Sequence, residues 1–291
     1  MTILTALALL TCPTCGTKLG VDDLDRPRVL GCRHRHAFDI AKQGHVNLLG
    51  HAAPANADTA EMVAARERFL SAGHYSPISE RLGQELTGSR QIVEVGAGTG
   101  HYIARVLDAV PEAIGLASDV SPAAARRAAR AHARVSSIVA DTWAGLPIAD
   151  GAADAVLCVF APRNPSEFAR ICTPGGLLVV VTPNAGHLAQ ARESLGLLGV
   201  EDDKLQRLNR SMEGLFEPVS SERLPWTMDL DATALADLVG MGPNAFHEHE
   251  AVTDAMAVDA DVQISTFRRP SSLPRQAFRP KLSPPEPGVR S

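Results

Sequence analysis

No stretch of this sequence approaches the roughly 18 consecutive apolar residues that a membrane-spanning helix needs, so a spanning helix is excluded. Cysteine is scarce, with five in 291 residues, and two of them form a Cys-x-x-Cys pair, which argues against a disulfide-stapled secreted scaffold. Aromatic residues make up only 4% of the chain. There is no excess of positive charge either. The net charge of −5 does not by itself announce a polyanion binder. What remains is an ordinary globular composition, 45% hydrophobic and 21% charged, enough for one large domain and a small appendage.

The average charge hides a distribution. Residues 1–51 carry six Lys/Arg against four Asp/Glu, and residues 268–291 carry six against one. The body between them must hold −12, so a polyanion would meet the basic ends first. Ile3–Leu10 is an apolar run that invites a signal-peptide reading. No Lys or Arg precedes it, no small-residue cleavage site follows, and a candidate metal site starts at once, so a short strand or loose extension is expected. The expected location is the cytoplasm.

Three regions separate. Residues 11–50 concentrate Cys and His, and residues 52–58 read as a linker ending in a helix cap at Asp58 or Thr59. From there to about residue 268 strands and helices alternate. Helices are expected over Ala60–Ala72 and Pro77–Leu86, the second capped by Ser76. Strands Gln91–Val95, Ala113–Asp119, Ser136–Ala140, Ala153–Phe160 and Gly176–Thr182 follow. The helices between them are His101–Ala109, one from Ser121-Pro122 to about Ala133, and Pro165–Ile171. Strands joined by such helices imply an α/β fold with a parallel sheet and right-handed crossovers. Pro270–Ser291 has six prolines and almost nothing to bury, and is expected to be disordered.

Cys12-Pro-Thr-Cys15 places two thiolates on one tight turn, and Cys32-Arg-His-Arg-His36 begins 17 residues later. Together they offer a closed tetrahedral site of the kind structural zinc prefers. His34 and His36 compete for the fourth position, and the Cys-x3-His spacing favours His36. A redox Cys-x-x-Cys is the alternative, but no βαβ unit surrounds it. Forty residues lack the apolar mass to fold alone, so the metal would supply the missing stability.

Glu94-Val-Gly96-Ala-Gly98-Thr99-Gly100 follows the first large-domain strand. Its glycines let the backbone bend and approach a ligand. A dinucleotide loop would need glycine at position 101, where His101 stands. The loop instead resembles the S-adenosylmethionine site of class I (Rossmann-like) methyltransferases. Asp119 ends the second strand where a carboxylate can take ribose hydroxyls, and Asp141 ends the third, facing an adenine. Phe160, Pro162 and Arg163 follow the fourth strand and are candidates for the acceptor pocket, Phe160 having a core role as its alternative. His187 stands at the sheet rim, opening the helix after the fifth strand. Arg126, Arg130 and Arg134 read as a solvated helix face, and Cys158 and Cys172 as inert packing residues.

Taken together, the zinc set with His36-Ala-Phe38-Asp39, then Ala41-Lys42-Gln-Gly44-His-Val46-Asn47-Leu48-Leu49, resembles the bacterial 23S rRNA (guanine-N1)-methyltransferases. So do Arg66-x-x-Phe69-Leu70-x-Ala72-Gly73-His74-Tyr75 and Ala161-Pro162. The likeness runs from about Cys12 to Phe267, and one branch of that family confers resistance to tylosin-type macrolides. It implies zinc on Cys12, Cys15, Cys32 and His36, and cofactor contacts from Tyr75, Gly98, Thr99 and His187. Glu94, Gly96, Gly100, His101, Asp119 and Asp141 complete the expected cofactor set. The domains are then a zinc-binding RNA-recognition module (1–51), a linker with helices (52–90), a methyltransferase domain (91–269) and a basic tail (270–291). The expected partner is a 23S rRNA hairpin, contacted through Lys42, Arg33 and Arg35, and the likeness implies a homodimer. A small-molecule methyltransferase, and an inactive zinc-ribbon RNA-binding protein, are the alternatives.

Overall fold

The computed structural model describes residues 2–196, 204–242, 245 and 254–272. A small antiparallel sheet comes first: β1 (Leu19–Val21), β2 (Val29–Cys32) and β3 (Ala37–Asp39). β4 (Val46–Asn47), α1 (Ala60–Ser71), α2 (Ser76–Glu85), β5 (Gln91–Val95), α3 (His101–Ala109), β6 (Ile114–Asp119) and α4 (Pro122–Ala128) follow. Then come β7 (Val135–Val139), β8 (Ala153–Val159), α5 (Pro165–Ile171), β9 (Cys172–Pro183), α6 (Ala189–Leu195) and α7 (Lys204–Met212). β10 (Glu217–Leu230), α8 (Ala232–Gly240) and β11 (Met256–Arg268) close the described chain.

β4 to β11 form one eight-stranded sheet in the order β10-β11-β9-β8-β5-β6-β7-β4. The chain leaves β5 for β6 and β7 on one side, then returns to β8 and β9 on the other. A crevice opens at the carboxyl ends of the strands where the order reverses. Alternate side chains feed two cores. Ile92, Leu157 and Val181 pack beneath α1, α2 and α3, with Phe69, Leu82 and Ile103. Val93, Val156 and Val180 pack on the opposite face, with Phe168 of α5.

That second face is closed by the amino-terminal residues. Ile3, Leu9, Leu10, Leu19, Leu30, Val46 and Leu48 are all buried in the same core as Val93, Val95 and Ile138. β4 pairs in parallel with β7, and Leu10 bridges Ile148. The run Ile3–Leu10 is therefore neither a strand nor a loose extension. It forms two 3-10 turns, Thr2–Leu4 and Leu7–Leu9, because its apolar residues need a compact plug rather than an edge to pair with.

The expected helices and parallel strands are present, with four corrections. Ser76 is the first residue of α2 rather than its cap, and Tyr75 precedes it without a side-chain capping bond. α4 stops at Ala128 instead of Ala133, because the amides of Arg130 and Ala131 bond back only three residues. Arg134 then turns its guanidinium onto the carbonyls of Val110 (3.0 Å), Pro111 (2.6 Å), Ala113 (2.5 Å) and Leu107, so it leaves the arginine stripe. Finally, the sheet is mixed: β11 runs antiparallel to both β9 and β10. The disordered-tail expectation falls, from residue 273 onward, outside the described residues.

Candidate active site and metal centre

The metal centre is built by two tight turns. Gly16, at φ +68°, lets its amide reach the Cys12 carbonyl at 2.8 Å, which closes the first knuckle. Arg35, at φ +67°, does the same for the second, its amide bonding the Cys32 carbonyl at 2.9 Å. One donor atom from each of Cys12, Cys15, Cys32 and His36 then lies within 4.8 Å of all the others. His36 Nδ1 is 3.4 Å from Cys12 Sγ and 3.5 Å from Cys32 Sγ, and the Cys15 and Cys32 sulfurs are 3.7 Å apart. Tetrahedral zinc with bonds of ~2.3 Å to sulfur holds thiolates ~3.8 Å apart, so the set fits the ion. His36 takes the fourth place and His34 is exposed. The Thr17 hydroxyl and amide beside Cys15 hold its thiol down to about 5, which favours the thiolate that zinc needs.

The crevice at the sheet switch point is a cavity of ≈410 Å³. Glu94, Gly96, Gly98, Thr99 and His101 line it from the loop between β5 and α3. Asp119 and Asp141 enter from the ends of β6 and β7, Phe160 and Pro162 from the end of β8, and Tyr75 from the start of α2. Asp119 shapes the loop itself, accepting from the Gly98 amide and from the Ser121 amide, both at 2.8 Å. Gly100, Arg163 and His187 are not among the lining residues. Gly100 faces α4, where an added Cβ would stand 3.0 Å from that of Ala128. His187 lies behind Tyr75. Its Nδ1 accepts from the Asp261 amide at 3.1 Å, so Nε2 carries the proton and donates to the Tyr75 hydroxyl at 3.2 Å.

Among the lining residues that escaped sequence reasoning, three carry a charge or an indole ring. Arg66 of α1 is ion-paired to Asp58, donates to the Met241 carbonyl at 2.5 Å, and lies against Gly98. It is the one Lys or Arg among the described lining residues of an otherwise acidic cavity. Asp58 and Trp143 are the others. The segment expected to be a plain linker also supplies Pro54, Asn56 and Ala57 to the wall.

The electrostatics suit a cationic ligand with polar ends. Burial pushes Glu94 up to about 8, and its carboxyl accepts the Ile103 amide at 3.1 Å. Burial also raises Asp119 and drives His101 down to about 4, so that imidazole is neutral at pH 7. A buried carboxyl of raised pKa gives up its proton when a cation comes close, and so can accommodate a sulfonium. A test follows from Glu94. In the free protein it holds a proton at pH 7, and a cation entering the cavity draws that proton off. Binding of S-adenosylmethionine at pH 7 should therefore release about 0.9 proton, which Glu94→Gln abolishes. Calorimetric titration in two buffers of different ionisation enthalpy reads this directly; equal heats would refute it. The same shift means the folded free protein binds more protons than the unfolded chain between about 4.5 and 8, so its stability falls as pH rises through that window.

A sheet wound in this order, with a glycine loop after its first long parallel strand and an acid ending the next, defines a class I S-adenosylmethionine-dependent methyltransferase. Here it carries a Cys3His zinc ribbon. Comparison with known proteins narrows the class. Residues 10–53 match the family model "RlmA, N-terminal", and residues 92–176 match "Methyltransferase domain". The chain is 49% identical over 245 residues to the 23S rRNA (guanine(748)-N(1))-methyltransferase of Streptomyces fradiae, covering 82% of this chain and 86% of that one. It is 44% identical over 285 residues to a Micromonospora griseorubida protein with the provisional name 23S rRNA (guanine-N1)-methyltransferase, covering 89% and 97%. A methyltransferase of Haloferax volcanii, solved with the Trm112 methyltransferase activator, superposes with a TM-score of 0.52 at 15% identity, covering 75% of this chain and 100% of that one, and so shares the fold. The chain belongs to the 23S rRNA (guanine-N1)-methyltransferase family, and its reaction is S-adenosylmethionine-dependent methylation of guanine N1 in 23S rRNA.

Proposed function

We propose that the guanine methylated is the one equivalent to position 748, in a hairpin near the peptide exit tunnel, and that the modification protects against tylosin-type macrolides. The observation that carries this reading is the 49% identity to the Streptomyces fradiae enzyme across 82% of the chain. In this reading, Glu94, Gly96, Gly98, Thr99, Asp119 and Asp141 hold the cofactor, with Tyr75 and His101 completing the wall. Gly100 acts by seating α3 against α4, and His187 acts by orienting Tyr75. Bound there, S-adenosylmethionine supplies an activated methyl group. Guanine N1 carries a proton and lies on the pairing edge, so the base must be unpaired and deprotonated for attack. The chain's task is then alignment of N1 with the methyl group.

The RNA would be gripped by the ribbon. Arg33, Arg35 and Lys42 are exposed on the ribbon. The ribbon also seals one face of the catalytic sheet, so a gripped hairpin is held at a fixed distance from the cavity. A homodimer and a cytoplasmic location belong to the same reading. Among the described residues no helix is long and apolar enough to cross a membrane.

Methyl transfer from labelled S-adenosylmethionine to bare 23S rRNA, mapped by primer extension, tests the proposal. N1-methylguanine cannot pair, so a single new stop is expected one nucleotide short of the position equivalent to 748. A stop elsewhere overturns the nucleotide assignment. Label without any stop, or no label in RNA, overturns the reading altogether.

A further inference from the structure

The chain holds twelve aromatic side chains of the Phe, Tyr and Trp types, and nearly all the described ones are buried or half-buried. Two are not. Trp143 is 66% exposed and Phe160 is 39% exposed, and they are the only aromatics among the exposed large hydrophobic residues described. Both line the same cavity.

Neither is exposed because its loop is slack. The Trp143 amide donates to Asp141 Oδ1 at 2.8 Å, and Asn164 Nδ2 donates to the Thr142 carbonyl at 3.0 Å. The Leu146 amide donates to Glu167 at 2.5 Å, so the turn carrying the indole is tied to the body on both sides. The other Asp141 oxygen lies 3.6 Å from His51 Nε2, at the end of the ribbon segment. Phe160 is held in the left-handed region, at φ +52°, with its amide bonded to the Val181 carbonyl at 3.1 Å. Its ring is backed by His187, 5.8 Å away and inclined by 29°, and by Tyr75 at 6.0 Å. The fold thus fixes one aromatic at the inner wall and a second, more exposed one on the wall with Asp141.

A guanine taken from a hairpin loses its stacking neighbours, and aromatic side chains are the sequence-tolerant replacement. We propose that Trp143 is the stacking platform for a nucleobase of the RNA substrate at the rim of the cavity. This rests on the reading of the chain as an rRNA methyltransferase. It assigns Trp143 to the RNA and not to the cofactor, because at 66% exposed it is the most open of the aromatics lining the cavity, as a residue at the rim would be.

The test is a steady-state comparison of wild type, Trp143→Ala and Trp143→Phe on a 23S rRNA fragment containing the hairpin. Trp143→Ala is expected to raise KM for RNA by between about 5- and 100-fold, with S-adenosylmethionine affinity unchanged. Trp143→Phe should recover most of the loss, since it keeps a stacking face. The second tryptophan, Trp226, is half-buried with its Nε1 donating to the His74 carbonyl at 2.9 Å. Indole fluorescence of the wild type should therefore fall on adding the RNA fragment, and the fall should vanish in Trp143→Phe. An unchanged KM in Trp143→Ala overturns the proposal, as does a matching loss of cofactor affinity, which would place the indole on the cofactor. If the wild type itself leaves the RNA unmethylated, the family reading fails and this assignment falls with it. If the wild type methylates and the variant equals it, only the assignment falls.

Discussion

Stripping the zinc, or replacing Cys15 by Ser, is expected to lower the melting temperature of the whole protein by about 10 °C or more and to abolish methyl transfer to RNA. Structural zinc contributes on the order of 10–16 kcal/mol to small ribbons. A domain's entire stability is about 5–15 kcal/mol. A self-contained ribbon would melt alone and leave the catalytic domain intact. This one is not self-contained. Leu19 and Leu30 lie in the same core as Val93, Val95 and Ile138, and Leu10 and Val46 bond directly to the large domain. When the knuckles open, those residues lose their frame and one face of the sheet meets water. Calorimetry should show one cooperative transition that moves down on chelation and returns with added zinc. Two separate transitions, with the upper one indifferent to chelator and cofactor binding intact, would refute this coupling.

The same merging explains what the sequence disclosed and what it did not. β5, α3 and α5 match their expected limits, Gln91–Val95, His101–Ala109 and Pro165–Ile171, because β5 ends at Gly96, α3 lies between Gly100 and Pro111, and α5 begins at Pro165. The Cys-x2-Cys spacing is a local signal and needed no tertiary information. Arg66 and Asp58 had no such signal: an ion pair between a linker and a helix leaves no pattern until the chain is folded. The amino-terminal run was ambiguous, since eight apolar residues suit a strand or a plug alike, and only the open sheet face decides. β10 hid behind Pro218 and Pro225, which an edge strand tolerates and a central strand does not. β11 was findable. Met256, Val258, Ala260, Val262 and Ile264 alternate with period two, the pattern of a strand. Tyr75 entered through family likeness, and the bond to His187 gives that likeness a physical basis.

Gly96 should be the least replaceable residue of the loop, and Gly96→Ala is expected to cut kcat/KM about 100-fold in a protein that still folds. Two independent costs meet there. The backbone sits at φ +69°, where a Cβ is strained by about 1–2 kcal/mol. A Cβ built on Gly96 would also lie 2.4 Å from the Cβ of Ala161, which cannot remain. Ala161 sits between Phe160 and Pro162, both of which line the cavity, so relief of the clash moves the wall that positions the acceptor. A displacement of ~1 Å in such a wall costs on the order of 100-fold in rate. Gly98→Ala makes a useful contrast. It too has positive φ, but its Cβ would meet only the Arg66 side chain, Nη1 at 3.0 Å and Cδ at 3.4 Å, a far milder contact than 2.4 Å to a residue of the acceptor wall. Its loss should be several-fold smaller and fall mainly on cofactor affinity. The decisive variant is the double one, Gly96→Ala with Ala161→Gly, which removes the opposing methyl and leaves only the backbone strain. It should recover about tenfold of the lost kcat/KM relative to Gly96→Ala alone. No recovery would mean that Gly96 is needed for its backbone conformation alone, and that the contact with the Ala161-Pro162 segment is not what sets the acceptor wall.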